Sequence, residues 1–156
     1  MNDQTKTKGA RRAGRIIAFQ VIFSLGFHEA TTPEQIEAVF IASPVVLEHG
    51  IGTARDFARQ LVHDVWSRRP ELDAVIERYS RHWKLDRIAR VELSILRLAL
   101  LEMMYRPDIP LKVAINEGIE LAKKFGDDNS RNFINGILDA AAKAVDHGKL
   151  GSHKTF

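Results

Sequence analysis

The chain has no cysteine among its 156 residues. This absence excludes disulfide bonds, thiolate nucleophiles and metal sites built on thiolate ligands. Long apolar runs are also missing, because the longest one, LSILRLALLEMM at 93–104, is interrupted by Arg97 and Glu102 and falls short of the roughly 18–20 residues that span a bilayer. No apolar segment follows the polar N-terminal residues, so a signal peptide is not expected. We therefore expect a cytoplasmic protein that does not enter a membrane.

Most motifs of catalysis are absent as well. The GIG at 50–52 lacks the residues that complete either nucleotide-binding loop, and no His-x-x-x-His spacing occurs. His63 and Asp64 form a pair that all-helical metal-dependent phosphohydrolases use, and an exposed helix turn is the alternative interpretation. Such a site would also need an upstream histidine and a downstream aspartate, for which the chain offers His28 or His49, and Asp73 or Asp86. The sequence predicts a protein that is not an enzyme and holds no cofactor or metal.

What the sequence does contain is helical periodicity over nearly its whole length. Apolar residues recur at spacings of three and four, and no alternating run of strand length is present. Thr32 and Gln35 form a capping box around Pro33, a typical helix start. We expect an all-α fold, a compact bundle of about seven helices. Their predicted ranges are 11–27, 33–42, 53–69, 70–79, 85–105, 110–125 and 130–145. They form one domain over 9–147, between a disordered basic segment 1–8 and a flexible tail 148–156.

The first predicted helix begins with an excess of positive charge. The formal net charge is +3, and residues 1–15 carry five Lys or Arg against the single acid Asp3. Arg11, Arg12 and Arg15 fall within an arc of about 100° on a helix, and we expect them to precede its buried stripe. Cations at a helix N-terminus meet the positive end of the macrodipole. An anionic partner outside the chain would explain them, and a solvated helix start without a partner is the alternative.

A second candidate constellation lies where two predicted helices meet, at the Phe125-Gly126 corner and the following NSRNF at 129–133. Asn129, Ser130 and the backbone N–H groups after them are typical of a helix N-terminus that binds phosphate. Phe125 suits stacking on an unpaired RNA base, or else belongs to the core. The residues by themselves thus indicate a helical protein for which RNA binding is one open interpretation.

Three stretches resemble the NusB family of bacterial transcription antitermination factors. The most specific is IPLKVAINEGIELAKKFGDDNSRNFINGILD at 109–139, and RRAGRIIAFQVIFSL and RVELSILRLALLEM resemble the arginine-rich first helix and the long fifth helix of that family. The resemblance covers roughly residues 9–146 and is diffuse between about 30 and 80. HDV at 63–65 departs from the small residue and Gly-Val common there, which argues against the phosphohydrolase interpretation.

The resemblance implies a fold of two packed helical sub-bundles and a function in transcription. Family members bind boxA RNA, a short single-stranded element, together with the ribosomal protein NusE, and help the transcription elongation complex resist termination in ribosomal RNA operons. By position, the implied RNA-binding residues are Lys8, Arg11, Arg12, Arg15, Phe125, Asn129, Ser130, Arg131 and Phe133. The implied partner-binding residues are Tyr79, Asp86 and Glu92.

Some alternatives stay open at this stage. Ala13 stands where some family members have another arginine, and Asn129 where the residue is often acidic. An RNA-binding helical module or adaptor without an antitermination role is the alternative function. The sequence also leaves open whether an apolar patch serves NusE or a second copy of the chain.

Overall fold

The computed structural model describes residues 3–81 and 83–156, with side chains described from residue 8 onward. Within these ranges the chain forms eight α-helices and no strand, which confirms the all-α prediction. None of these helices is both long and apolar enough to cross a bilayer. The helices are α1 Asp3–Leu25, α2 Pro33–Ala42, α3 Pro44–His49, α4 Gly52–Ser67, α5 Arg69–Tyr79, α6 Arg90–Tyr105, α7 Leu111–Phe125 and α8 Asp128–Asp146.

Several predicted boundaries differ from the structure, and α1 begins at Asp3 instead of residue 11. The stretch predicted to break the chain after α2 contains the short helix α3, which begins at Pro44 because proline suits the first position of a helix. The helix predicted over 85–105 is divided: Leu85–Arg87 is a separate 3₁₀ turn, and α6 starts only at Arg90. Ala89 has extended backbone angles, φ −59° and ψ 142°, so the helical path is interrupted there.

The contacts divide the chain into two compact units, one ending at Ser67 and the other beginning at Arg68. The first unit contains α1 to α4, and the second contains α5 to α8. The sequence predicts one domain over 9–147, and the resemblance adds two sub-bundles within it. Of the predicted disordered segment 1–8, residues 1 and 2 lie outside the described residues, while the backbone is helical from Asp3.

In the first unit, α1 packs along α4, and α2 also packs on α4. The predicted capping box of α2 is confirmed: the Gln35 backbone N–H donates to Thr32 Oγ1 at 3.2 Å, and the Thr32 N–H donates to Gln35 Oε1 at 3.1 Å. Gly14 allows α1 to approach α4 closely, because a Cβ there would lie 2.9 Å from both the Ala54 carbonyl oxygen and Phe57 Cδ1. The core residues of this unit include Ile17, Val21, Ile36, Phe40 and Leu61.

In the second unit, α6 is buried on most of its surface and packs against α5, α7 and α8. Arg97 of α6 donates to both carboxylate oxygens of Asp73 of α5, at 2.7 and 2.9 Å. Gly118 of α7 allows close packing, since a Cβ there would lie 2.9 Å from Leu138 Cδ1. The core of this unit is centred on Ile95, Leu96, Leu98, Leu100 and Leu101.

The C-terminal residues after α8 contact the end of α6, although the sequence predicts a flexible tail over 148–156. The Ser152 N–H donates to the Met104 carbonyl at 3.0 Å. Lys154 Nζ donates to the carbonyls of Glu102 at 2.9 Å and Ile109 at 2.6 Å. The last carbonyls of a helix have no partner within the helix, so the Ser152 N–H satisfies the Met104 carbonyl at the end of α6, while Lys154 is a second donor to the Glu102 carbonyl, which also accepts the Arg106 N–H.

Candidate nucleic-acid and partner interfaces

The basic start of α1 combines exposed and buried cations. Lys8 and Arg12 are exposed and Arg11 is half-buried, whereas Arg15 is only 4% exposed. The guanidinium carbons of Arg11 and Arg15 lie 5.7 and 5.5 Å from the centre of the Phe57 ring of α4. The expectation that all three arginines precede the buried stripe is therefore wrong for Arg15.

The spacing of apolar residues in the sequence explains why Arg15 is buried. Arg15, Ala18, Ile22 and Leu25 follow one another at spacings of three and four, so Arg15 occupies the same stripe of α1 as three buried apolar residues. A guanidinium is weakly hydrated and stacks on aromatic rings, which makes arginine the cation best suited to such a place. The buried stripe of α1 therefore includes Arg15 instead of beginning after it.

The second candidate constellation lies at the corner between α7 and α8. Asp127 caps α8, because its Oδ1 accepts the Ser130 backbone N–H at 2.8 Å. This hydrogen bond, the first cause, and the one from the Ser130 hydroxyl together lower the pKa of Asp127 below its ordinary value of 3.8. The predicted helix start at residue 130 would make Asn129 the cap, but Asn129 is the exposed second residue of α8, so this expectation is wrong. A carboxylate already occupies the N-terminus at which the sequence predicted a phosphate.

The aromatic and basic residues around this corner are partly accessible. Phe125, Arg131 and Phe133 are half-buried, so Phe125 is neither a fully buried core residue nor a fully exposed ring. Lys124 Nζ lies 5.9 Å from the centre of the Phe125 ring, and Arg131 forms an ion pair with Asp128. The corner thus presents one cation beside an aromatic ring and a second cation that is already paired within α8.

Ser130, which the family resemblance implies in RNA binding, contacts Glu92, which it implies in partner binding. Its side chain is buried, and its hydroxyl lies 3.0 Å from Glu92 Oε1 of α6 and 3.1 Å from Asp127 Oδ1. Glu92 is half-buried. A residue implied in RNA binding is therefore hydrogen-bonded to one implied in protein binding, a contact over 38 positions that no local pattern could reveal.

The remaining implied partner residues lie near the end of α5 and the 3₁₀ turn. Asp86 is exposed on that turn, and Tyr79 is half-buried with the Arg78 guanidinium carbon 5.5 Å from its ring centre. Asp86 borders an open cavity of about 840 Å³. Trp83 also lines this cavity and is 54% exposed. Its candidacy was missed, although a tryptophan between two helical patterns is a usable signal for a binding surface.

The residues offered for a phosphohydrolase do not form a metal site. His63 Nε2 lies 2.6 Å from Glu37 Oε2, and Arg59 Nε lies 2.9 Å from the other oxygen of the same carboxylate, an ion pair whose angle is unsuited to a hydrogen bond. His63 thereby links α4 to α2. In the part of the chain that is described, no three His, Asp or Glu side chains converge as metal ligands would.

The comparisons with known proteins agree with one another. The model of the NusB family matches residues 12–143. A transcription antitermination protein NusB from Nitratidesulfovibrio vulgaris (strain DP4) is 48% identical over 147 residues, covering 94% of this chain and 96% of that protein. A solved structure of T. maritima NusB has a TM-score of 0.75 at 34% identity, covering 85% of this chain and 90% of that one.

A crystal structure of the antitermination factors NusB and NusE in complex with dsRNA has a TM-score of 0.72 at 28% identity. It covers 86% of this chain and 97% of the matched chain. The similarity extends over both units, since the family match begins within α1 and ends within α8. From its sequence and its fold, the chain belongs to the NusB family.

Proposed function

We propose that the chain is a transcription antitermination factor that binds boxA-type single-stranded RNA together with the ribosomal protein NusE. In this role it joins the transcription elongation complex and acts by binding, without catalysing a reaction. Its close relative is named as an antitermination protein, and a matched structure combines NusB, NusE and RNA. The observation that carries the proposal is the basic N-terminal half of α1, where accessible cations precede a helix that is otherwise buried.

In the first unit, the RNA contacts are made by Lys8, Arg11 and Arg12. Lys8 and Arg12 are exposed and Arg11 is half-buried, so their charges reach a phosphate without rearrangement of the core. Cations three and four residues apart on a helix repel each other, and a polyanion relieves this cost. Arg15 supports the surface from beneath, since its burial against Phe57 keeps it from reaching a phosphate directly.

In the second unit, the RNA surface is the corner between α7 and α8. Phe125 and Phe133 offer partly accessible ring faces for base stacking, which reads unpaired RNA well. The amide of Asn129 is exposed on the first turn of α8. Ser130 is buried and positions that turn through its hydrogen bonds. Because Asp127 caps the helix, we place bases rather than phosphates next to its N-terminus.

The NusE contact is made by the region around the 3₁₀ turn, where Asp86 is exposed beside a cavity that Trp83 also lines. Tryptophan is among the residues that most often dominate interface energies, and Asp86 supplies charge to steer a basic partner. Tyr79 and Glu92 are half-buried at the edges of this region. A second copy of the chain is the alternative occupant, and the oligomeric state in solution distinguishes the two.

The proposal is tested by fluorescence anisotropy with a labelled short RNA that carries a boxA-like sequence, and with a scrambled RNA of equal length. We expect tighter binding of the boxA-like RNA, and still tighter binding when NusE is added. Equal binding of both RNAs would support the adaptor without an antitermination role. No binding of either RNA in the presence of NusE would refute the proposal.

The partner surface needs a separate variant. Asp86→Lys should weaken NusE capture about tenfold or more, because like charges then face each other across the interface, and it should leave binding of RNA alone unchanged. Glu48→Lys is the matched control: Glu48 is also an exposed acid, on α3 of the first unit. If both charge reversals weaken NusE capture equally, the effect is one of net charge and the assigned surface is wrong.

A further inference from the structure

The ring of Phe57 lies under two of the arginines of α1, although α4 carries no residue so far assigned to RNA binding. The guanidinium carbon of Arg11 lies 5.7 Å from the ring centre and that of Arg15 lies 5.5 Å from it. Both distances are within the range of about 6 Å over which a cation is attracted to an aromatic face. We propose that Phe57 is a positioning residue for RNA binding that holds the Arg11 side chain in place, an inference that rests on the proposed function.

Close backbone packing fixes the ring in this place. A Cβ on Gly14 would lie 2.9 Å from the Ala54 carbonyl oxygen and 2.9 Å from Phe57 Cδ1. The ring is therefore in direct contact with the α1 backbone at Gly14. Arg11 and Arg15 are four residues apart, so they project from neighbouring turns on one side of α1. The ring is within reach of both side chains.

The charges explain why a ring is useful at this position. Two cations four residues apart on a helix repel each other, and the electron-rich face of Phe57 offsets part of this cost.

The consequence for RNA binding is preorganisation. A long side chain that is already ordered loses less conformational entropy when it contacts a ligand. Arg11 is half-buried over the ring and is ordered in this way, whereas Arg12 is exposed and leaves the helix about 100° further around its axis than Arg11. Phe57 should therefore influence the contribution of Arg11 to RNA affinity and leave that of Arg12 unchanged.

The test compares Phe57→Leu with Phe57→Tyr, by anisotropy with the boxA-like RNA over a range of salt concentrations. Phe57→Leu keeps an apolar side chain but removes the aromatic face, and we expect affinity to fall about two- to fivefold. The slope of log affinity against log salt should stay unchanged, because the number of phosphate contacts is the same. Phe57→Tyr keeps the aromatic face and should retain wild-type affinity.

Phe40→Leu is the matched control within the same unit. Phe40 also carries an arginine over its ring, with the Arg59 guanidinium carbon at 5.5 Å, but the first residues of α1 take no part in that pair. Phe40→Leu should lower the melting temperature and leave RNA affinity unchanged at temperatures where the variant is folded. A loss of affinity equal to that of Phe57→Leu would show a general effect of destabilisation and overturn the inference.

A double-mutant cycle separates this inference from the proposed function. Phe57→Leu and Arg11→Ala should be less than additive, and Phe57→Leu and Arg12→Ala should be additive. If Arg12→Ala weakens RNA binding while Phe57→Leu does not, the proposed function stands and the positioning role fails. If neither substitution matters, both fail. An NMR measurement tests the inference without RNA. In the wild type, the Arg11 Nε–Hε signal should be displaced from its random-coil position, and in Phe57→Leu it should move towards that position. A wild-type signal at the random-coil position would also overturn the inference.

Discussion

Arg12 and Arg15 carry the same side chain three residues apart on α1, but the structure predicts opposite consequences for their replacement by alanine. Arg12 is exposed, whereas Arg15 is 4% exposed and lies over the Phe57 ring. Arg12→Ala should therefore change RNA binding and leave stability unchanged. Arg15→Ala should change stability and leave the salt dependence of RNA binding unchanged.

The magnitudes follow from what each side chain loses. Arg12→Ala removes one phosphate contact and flattens the slope of log affinity against log salt by about 0.7. Raising the salt from about 50 to 200 mM should therefore weaken the variant about two- to threefold less than it weakens the wild type. Surface substitutions of this kind change stability by about 0.5 kcal/mol or less. Arg15→Ala removes two buried methylene groups worth about 1.6 kcal/mol and one contact with an aromatic ring worth about 0.5–1 kcal/mol.

These contributions make Arg15→Ala destabilising by about 2–3 kcal/mol, which for a chain of this length lowers the melting temperature by about 5–10 °C. The assay pairs thermal unfolding by circular dichroism with RNA anisotropy at several salt concentrations. Replacing Arg11, Arg12 and Arg15 together should flatten the slope by about 1.4, the value for two phosphates, rather than the 2.1 or so for three.

Lys112→Ala is the control for a loss of one exposed positive charge, since Lys112 is exposed in the first turn of α7. It should alter neither the slope nor the melting temperature. The reasoning would be refuted if Arg15→Ala flattened the slope by about 0.7 without lowering the melting temperature. In that case Arg15 would reach the RNA, and its burial against Phe57 would not persist in the complex.

Three further predictions follow from the ends of the helices. The pKa of Asp127 is lowered by its hydrogen bond with the Ser130 N–H, so its contribution to stability is present above pH 3.8 and is lost as pH falls through the lower folded value. Asp127→Asn still caps α8 but has no carboxylate to titrate. Thermal melts of this variant between about pH 5 and 2.5 should therefore show a smaller loss of stability than melts of the wild type. Burial lowers the pKa of Lys154 below 10.5, so stability rises with pH from the folded value up to 10.5. Lys154→Met should lack this rise and lose about 1–3 kcal/mol at neutral pH, because its hydrogen bonds to the Ile109 and Glu102 carbonyls are lost, and an unchanged urea midpoint would contradict the tail contact. Asn129→Asp adds a carboxylate next to Asp127 and Asp128. It should lower RNA affinity about fivefold at low salt with little change in melting temperature. A shifted melting temperature at constant affinity would place the RNA surface elsewhere.

Helix positions were largely predictable because the signal for a helix is local. The capping box at Thr32 and the glycine that ends α7 are written in a few neighbouring residues, and both are confirmed. The interruption at Ala89 was not predictable, because the apolar spacing continues across it. Backbone angles at such a point depend on packing between distant segments, which spacing alone does not contain.

The chemistry of the candidate surfaces was predictable, and the burial of single residues was not. The basic start of α1 is visible as an excess of charge in the sequence. The burial of Arg15 depends on Phe57, 42 positions later, and the role of Asp127 as the cap was hidden by three consecutive polar residues that are all good caps. Contacts between distant residues decide which member of a cluster is accessible.

The hydroxyl of Ser130 has one proton but two carboxylate neighbours, Glu92 and Asp127, at nearly equal distances of 3.0 and 3.1 Å. A single donor divided between two acceptors binds each less firmly than it would bind one. Replacing Glu92 therefore leaves the whole donor to Asp127 and tightens the first turn of α8. Any substitution at Glu92 would thus have two effects at once: it changes the surface of α6, and it changes the first turn of α8.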